Sequence, residues 1–188
     1  RTIAMTVFGD LDETRMSGMP CGRTPVATYL VDSANAAWVE RTWGRAAEEI
    51  SQGRRVYVVC PRIDASDEVR DADEEHARPL ASVEEVAAYL RGHRALAGVA
   101  IHELTGRTPA PVKAQIMEDF SAGRAPLLVA TTVIEVGVDV SEATLMVILD
   151  AQQFGLAQLH QLRGRVGRSS LPSLCIAMHR HELTDAGR

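Results

Sequence analysis

Apolar runs and helical patterns alternate along the chain from residue 26 onward. Six short apolar runs read as strands: 26–31, 56–60, 99–102, 127–130, 145–149 and 174–178. Several are apolar throughout rather than alternating, as strands covered on both faces must be. Between them the spacing predicts helices over 34–51, 82–96, 112–121 and 155–163. Ser82 followed by Glu85 has the spacing of a capping box, which satisfies free N–H groups at a helix start. Strand and helix in alternation predict an α/β fold: a doubly wound, mostly parallel sheet of about six strands with helices on both faces. Residues 1–25, broken by Gly9, Gly18, Pro20, Gly22 and Pro25, read as a linker or the end of a preceding domain. The folded domain is then 26–188.

The length of 188 residues allows one domain with a real core; at this size about 70% of the unfolded surface leaves water on folding. Hydrophobic residues make up 46% and charged ones 24%, which excludes a disordered tail, a fibre or a coiled coil. No apolar run is long enough to span a membrane, and the first residues lack the pattern of a signal peptide. Position 1 is Arg, so the chain is expected to be cut from a longer one.

Net charge is −5, so any nucleic-acid contact has to be local rather than a bulk-charge effect. Of the 20 cationic residues only Lys113 is a lysine. A phosphate-gripping P-loop needs Gly-Lys followed by Ser or Thr, whereas Lys113 lies between Val112 and Ala114. The chain therefore has no such loop with which to hold ATP by itself. Cys21, Cys60 and Cys175 are odd in number and widely spaced, which suggests neither disulfides nor zinc. Cys60 and Cys175 lie in apolar runs and read as core residues of a cytoplasmic protein. No metal site is expected. Residues 64–75 hold seven carboxylates and read as a solvated loop, without the glycine that a calcium loop requires. Trp38 and Trp43 are expected to be partly buried packing residues, and His179-Arg180-His181 a frayed end.

The chemistry concentrates in 126–168. Arg165 and Arg168 are three apart and project to one side of a helix or tight turn. Gly164 and Gly167 remove Cβ atoms beside them, allowing close approach of a backbone or a phosphate. From 151 to 181 there is no acidic residue, so Arg163, Arg165, Arg168 and Arg180 have no neutralising partner in that window. Guanidinium groups suit phosphate oxygens, and Gln161 stands one turn upstream of Arg165. Before them, the 127–130 strand ends in Thr131-Thr132, with Gly137 and Asp139 shortly after. In a parallel sheet ligands sit beyond the strand C-termini. Hydroxyls there can donate to a phosphodiester, and an Asp after a Gly can accept from ribose hydroxyls. The two arginines are expected to face that same rim.

T-T-V-I-E-V-G-V-D-V followed by F-G-L-A-Q-L-H-Q-L-R-G-R-V-G-R resembles motifs V and VI of superfamily 2 helicases, and in wording the RecG family of branched-DNA helicases. R-T-I-A-M-T-V-F-G-D-L-D resembles the stretch after motif III of that family, and V-Y-V-V-C-P-R-I-D its motif IV strand. The resemblance covers nearly the whole chain. It implies a second RecA-like motor domain, of the helicase C-terminal type, following the end of a first one within 1–25. It implies that Gln161, Arg165 and Arg168 face ATP and Mg²⁺ held mainly by the first motor domain in cis, the arginines stabilising the transferred phosphate. It implies that Gly137 and Asp139 form the nucleotide-facing end of motif V, and that Thr131, Thr132 and Arg107 lie against DNA. The intact protein would use ATP to remodel branched DNA, stalled forks and four-way junctions, in recombination and repair, as a monomer. This chain, being half an ATPase, would be inactive alone. Two departures stand out: Thr105 replaces the family's usual His before Gly106-Arg107, and Ser169-Ser170-Leu171 replaces G-x-H after motif VI. Asp73-Glu74-Glu75-His76 spells the D-E-x-H box of helicases but follows no apolar strand, so it is read as a coincidence. Two alternatives are the motor of a transcription-repair coupling translocase, and a stand-alone α/β module that binds DNA or protein without catalysis.

Overall fold

Residues 24–63, 80–132 and 140–180 are described by the structure, a computed structural model. Six strands form one sheet: β1 (Val26–Asp32), β2 (Arg55–Val59), β3 (Ile101–Leu104), β4 (Leu127–Ala130), β5 (Ala143–Ile148) and β6 (Ser173–His179). Their order is β1-β6-β5-β2-β4-β3, and every pairing is parallel. Four helices connect them: α1 (Ala36–Ser51), α2 (Val83–Gly92), α3 (Ala110–Ala122) and α4 (Leu156–Arg163). Alternate side chains of each strand point to opposite faces. Val56 and Val58 of β2 pack with α1 and α2 through Trp43, Ala46, Ala87 and Leu90. Tyr57 and Val59 pack with α3 and α4 through Met117, Phe120 and Leu162. The doubly wound sheet expected from the pattern is what forms. Apolar strands β4 and β5 are buried along their whole length because a strand lies on each side and helices lie above and below.

The differences from the predicted elements have local causes. The third strand begins at Ile101, not 99: Gly98 adopts a left-handed φ of 79°, and Val99 donates to the Leu96 carbonyl at 3.0 Å, which keeps 99–100 in the turn. The helix expected over 82–96 breaks at His93, whose extended ψ of 125° separates α2 from a 3-10 turn over Arg94–Leu96. Ser82 does cap α2, accepting from the Glu85 N–H at 3.3 Å, and its own hydroxyl donates to the Glu85 carboxylate at 2.8 Å. Helix α3 ends at Gly123, with φ 78°. The Arg55 guanidinium donates to the carbonyls of Phe120 at 3.0 Å and Ser121 at 2.9 Å, satisfying acceptors the helix leaves open. A Cβ at Gly123 would stand 2.8 Å from that guanidinium. The two tryptophans part company: Trp43 is buried, while Trp38 is exposed with the Arg41 guanidinium over its ring. Strand β1 is an edge strand, and Tyr29 and Leu30 on it are exposed.

A charged cluster around Glu49 sits inside. Glu49 of α1 is fully buried and accepts from Arg54 at 2.9 Å, from Arg45 and from the hydroxyl of Thr144 on β5. Burial pushes its carboxyl up, but the Thr144 hydroxyl and the two guanidinium groups outweigh that and hold it below the usual range. Asp119 of α3 is likewise held low by Arg124 at 2.7 Å and His102 at 3.0 Å. A depressed folded-state value stabilises the fold above the unfolded value and is lost as pH falls toward the folded one. The urea midpoint is therefore expected to hold from neutral pH to about 5 and to fall as pH drops below about 4. The double variant E49Q/D119N should start lower and show a shallower acid slope; parallel slopes in wild type and variant would contradict these two assignments.

Candidate functional site

Two groups of residues, at opposite ends of the sheet, carry the chemistry. The first lies beyond the C-terminal ends of β3 and β4, which are neighbours. Thr131 continues from β4, and its N–H donates to the Leu104 carbonyl at 3.2 Å. Next to it the 105–108 loop folds on its own hydroxyls: Thr108 Oγ1 accepts from the Thr105 N–H at 3.0 Å, and Thr105 Oγ1 from the Arg107 N–H at 3.2 Å. The loop holds Arg107 exposed at the rim. The Thr at position 105 thus serves as a turn-forming hydroxyl. Thr131, Thr132 and Arg107 lie beyond the ends of two neighbouring strands. Thr131 is buried and Thr132 half-buried, so Thr132 offers the more accessible hydroxyl. Gly137 and Asp139 lie outside the described residues, as do the acidic segment 64–75 with its Asp73–His76 box, and His181.

The second group is built by α4. Gly155 opens the helix, its N–H donating to the Gln158 side chain at 3.2 Å. Leu162, fully buried, pins the helix to the sheet, and burial of one such side chain contributes about 2 kcal/mol. After Arg163 the chain tightens: Gly164 donates to the His160 carbonyl at 3.1 Å and Arg165 to that of Leu162 at 2.9 Å. Val166 dips back into the core. That alternation leaves Gln161 and Arg163 exposed and Arg165 and Arg168 half-buried. The Nε of Arg168 donates to the Gly164 carbonyl at 2.9 Å, which fixes the plane of its guanidinium. Gly167 has φ 70°, and a Cβ there would meet Val26 Cγ2 at 2.5 Å. Thr24 Oγ1 donates to the Ser170 carbonyl at 2.9 Å. The arginine loop is therefore stitched to the point where the chain enters the sheet.

Two expectations are corrected here. The arginines do not face the rim where strands end. Val26 and Ser173, against which Gly167 packs, are the first residues of β1 and β6. The cause is topological. Helix α4 leaves the C-terminal end of β5 and must return the chain to the other edge before β6 can run parallel, so residues after the helix sit at the N-terminal edge. Arg180 does have an acidic partner, Asp150, one residue upstream of the window searched in the sequence. Sequence reasoning also missed Asp150 itself, which is buried and has a left-handed φ of 49°. Its only signal was an Asp directly after an apolar strand.

Cys60 and Cys175 are buried free thiols. Burial pushes the Cys60 thiol far up, and raises Cys175 to about 11, so neither is a nucleophile near neutral pH. The arrangement offers a hydroxyl-and-arginine rim at one end and a pair of oriented guanidinium groups at the other, both suited to phosphate oxygens.

Comparison with known proteins agrees with this reading of the sheet and its loops. An ATP-dependent DNA helicase RecG of Mycobacterium bovis is 46% identical over 178 residues, which is 94% of this chain and 24% of that protein. The RecG of Bacillus subtilis is 41% identical over 95% of this chain and 24% of its own length. The chain thus spans about a quarter of the length of the curated relatives it matches. A solved structure of RecG bound to a three-way DNA junction superposes with a TM-score of 0.70, at 33% identity, covering 96% of this chain and 21% of that one. The fold is RecA-like. Residues 41–170, which hold most of α1, all of α2 to α4 and both phosphate-suited groups, match the model of the helicase conserved C-terminal domain, and the chain belongs to that family.

Proposed function

We infer that this chain is the second motor domain of an ATP-dependent DNA helicase that remodels branched DNA, following a first motor domain joined through 1–25. The observation that carries this is where the arginine loop sits. Thr24 and Val26, at the entrance of the domain, touch Ser170 and Gly167 of the loop that bears Arg165 and Arg168. A preceding lobe connected there is brought to the arginines by the chain itself. Its bound ATP would then meet two guanidinium groups whose positive charge offsets charge developing on the transferred phosphate. Gln161, exposed on the same helix, stands ready to contact the nucleotide or the attacking water. The opposite rim, with Thr132, Thr131 and Arg107, would lie along a DNA strand, with the hydroxyls and guanidinium on backbone phosphates.

The residues present fit a contributor to a nucleotide site rather than its holder. Arg165 and Arg168 supply cations rather than the carboxylates that would hold Mg²⁺. When bound, Mg²⁺ would neutralise phosphate charge from the other lobe; the residues here position their guanidinium groups. Gly137 and Asp139 complete the nucleotide side in this reading. The buried free thiols Cys60 and Cys175 suit a reducing, cytoplasmic setting, and a monomer suffices because both lobes lie in one chain.

The purified chain is expected to show no DNA-stimulated ATP hydrolysis, whereas the full-length protein should hydrolyse ATP and unwind forked DNA. Turnover by the chain alone that survives Arg168→Ala would overturn the composite-site reading.

A further inference from the structure

Asp150 carries a feature that neither phosphate-suited group explains. Its carboxylate is buried, and it accepts from three groups on two other connections of the fold. Oδ2 takes the Ala81 N–H at 2.7 Å and the Arg180 Nη2 at 3.0 Å, while Oδ1 faces the Arg180 Nε. Ala81 directly precedes Ser82, the cap of α2. Ser82 in turn bridges to Arg62 beyond β2, whose carbonyl accepts from Val83 at 3.0 Å. Arg180 follows β6, where His179 accepts from Ser33 at 2.8 Å. Asp150 itself lies two residues past β5 and caps the 3-10 turn Ala151–Gln153 that leads into α4. One carboxylate thus joins the loops after β2, β5 and β6 at the rim that also holds Thr131, Thr132 and Arg107.

The backbone there takes a conformation that Asp tolerates. A left-handed φ is uncommon for residues other than Gly, and Asp and Asn are the usual exceptions. Glycine would take that conformation without strain, but it would lose all three hydrogen bonds. Helix α4 links the turn after Asp150 to the arginine loop. It is a single rigid element of eight residues, about 12 Å long, fastened to the sheet by Leu162. Its end bears the arginine loop.

We propose that Asp150 is a positioning residue which, through Arg180 and the Ala81 N–H, ties the DNA-facing rim to the start of α4, so that movement at that rim reaches Arg165 and Arg168. The inference rests on the proposed motor function. Asp150 touches neither ATP nor DNA; it sets the coupling between them. A clip that served stability alone would, when loosened, lower hydrolysis and unwinding in the same proportion. A coupling clip changes their ratio.

The test uses the full-length helicase with D150N, which keeps the size and backbone tolerance of Asp and removes the charge, and R180M, which keeps the aliphatic stem. ATP hydrolysed per forked DNA unwound is measured under saturating ATP, with the KM for ATP alongside. Each variant is expected to consume about fivefold more ATP per fork, or worse, with KM unchanged. The double variant should resemble the worse single one, because the two residues act as one unit. A ratio equal to wild type in both variants, whether or not the two rates fall together, overturns the inference. Failure of the wild type to unwind forks would instead overturn the motor function on which it rests. Should R180M not fold, D150N alone decides by the same ratio.

Discussion

Arg168→Ala in the full-length helicase is expected to lower kcat for DNA-stimulated ATP hydrolysis by about 10³-fold or more, and Arg165→Ala by a similar factor. A loss of that size corresponds to about 4 kcal/mol of transition-state stabilisation. The structure gives a reason to expect the effect in kcat. Arg168 is held by the bond from its Nε to the Gly164 carbonyl at 2.9 Å, so its orientation is prepared before any ligand arrives. Groups fixed in advance act on charge that develops during reaction and need no reorganisation at that moment. Arg168→Lys keeps the charge but lacks the Nε donor and the planar fork, so it should recover only a small part of the rate. Steady-state hydrolysis at saturating ATP measures all three variants. A kcat near wild type for Arg168→Ala would remove this arginine from the site.

Glu49→Ala is expected to destabilise the domain by about 3 kcal/mol or more, because it strands partly buried guanidinium groups and a buried hydroxyl. Arg54, Arg45 and Thr144 all lose an acceptor, and α1 loses its polar tie to β5. Glu49→Gln keeps the shape and one acceptor oxygen, and should cost clearly less. Urea unfolding of the purified chain measures both. Equal midpoints for wild type and Glu49→Ala would show that the cluster contributes nothing net, which is a known outcome for buried ion pairs replaced by apolar groups of similar volume but not for a truncation that leaves the partners in place.

The sheet was legible because its strands are apolar without alternation and the helices between them are not. Runs such as 127–130 and 145–149 left little choice but burial on both faces, and β4 and β5 are indeed covered above and below. The candidate site residues stood out by type and spacing: Thr131, Thr132 and Arg107 lie at one rim, and Gln161, Arg165 and Arg168 share one helix and its following loop. Their placement was less so. The arginines were expected beside the threonines, yet α4 carries them to the far edge, since sequence spacing fixes neighbours along a helix but not the edge at which it ends. Glu49 and Asp150 were not read as buried at all. The partners that make burial tolerable, Thr144 on β5 and Arg180 just after β6, come from distant parts of the chain. Only the assembled sheet brings them within reach.

The far-edge placement runs against the sequence expectation, which had the arginines at the rim where the strands finish and tied the motor reading to it. The proposed motor function rests instead on where the chain enters the domain. Thr24 and Val26 mark where the polypeptide comes in, and the arginine loop leans on both. In the proposed reading a preceding lobe would approach the arginines first, and nucleotide and DNA would meet different ends of one parallel sheet, with α4 spanning between them.

The decisive measurement sets kcat for ATP beside the dissociation constant for forked DNA in full-length Arg165→Ala and Arg168→Ala. If the two guanidinium groups serve a triphosphate, hydrolysis falls by about 10³-fold while DNA affinity changes by only about a fewfold. If DNA affinity collapses and hydrolysis stays near wild type, the arginines bind the nucleic-acid backbone, and the composite-site account is wrong.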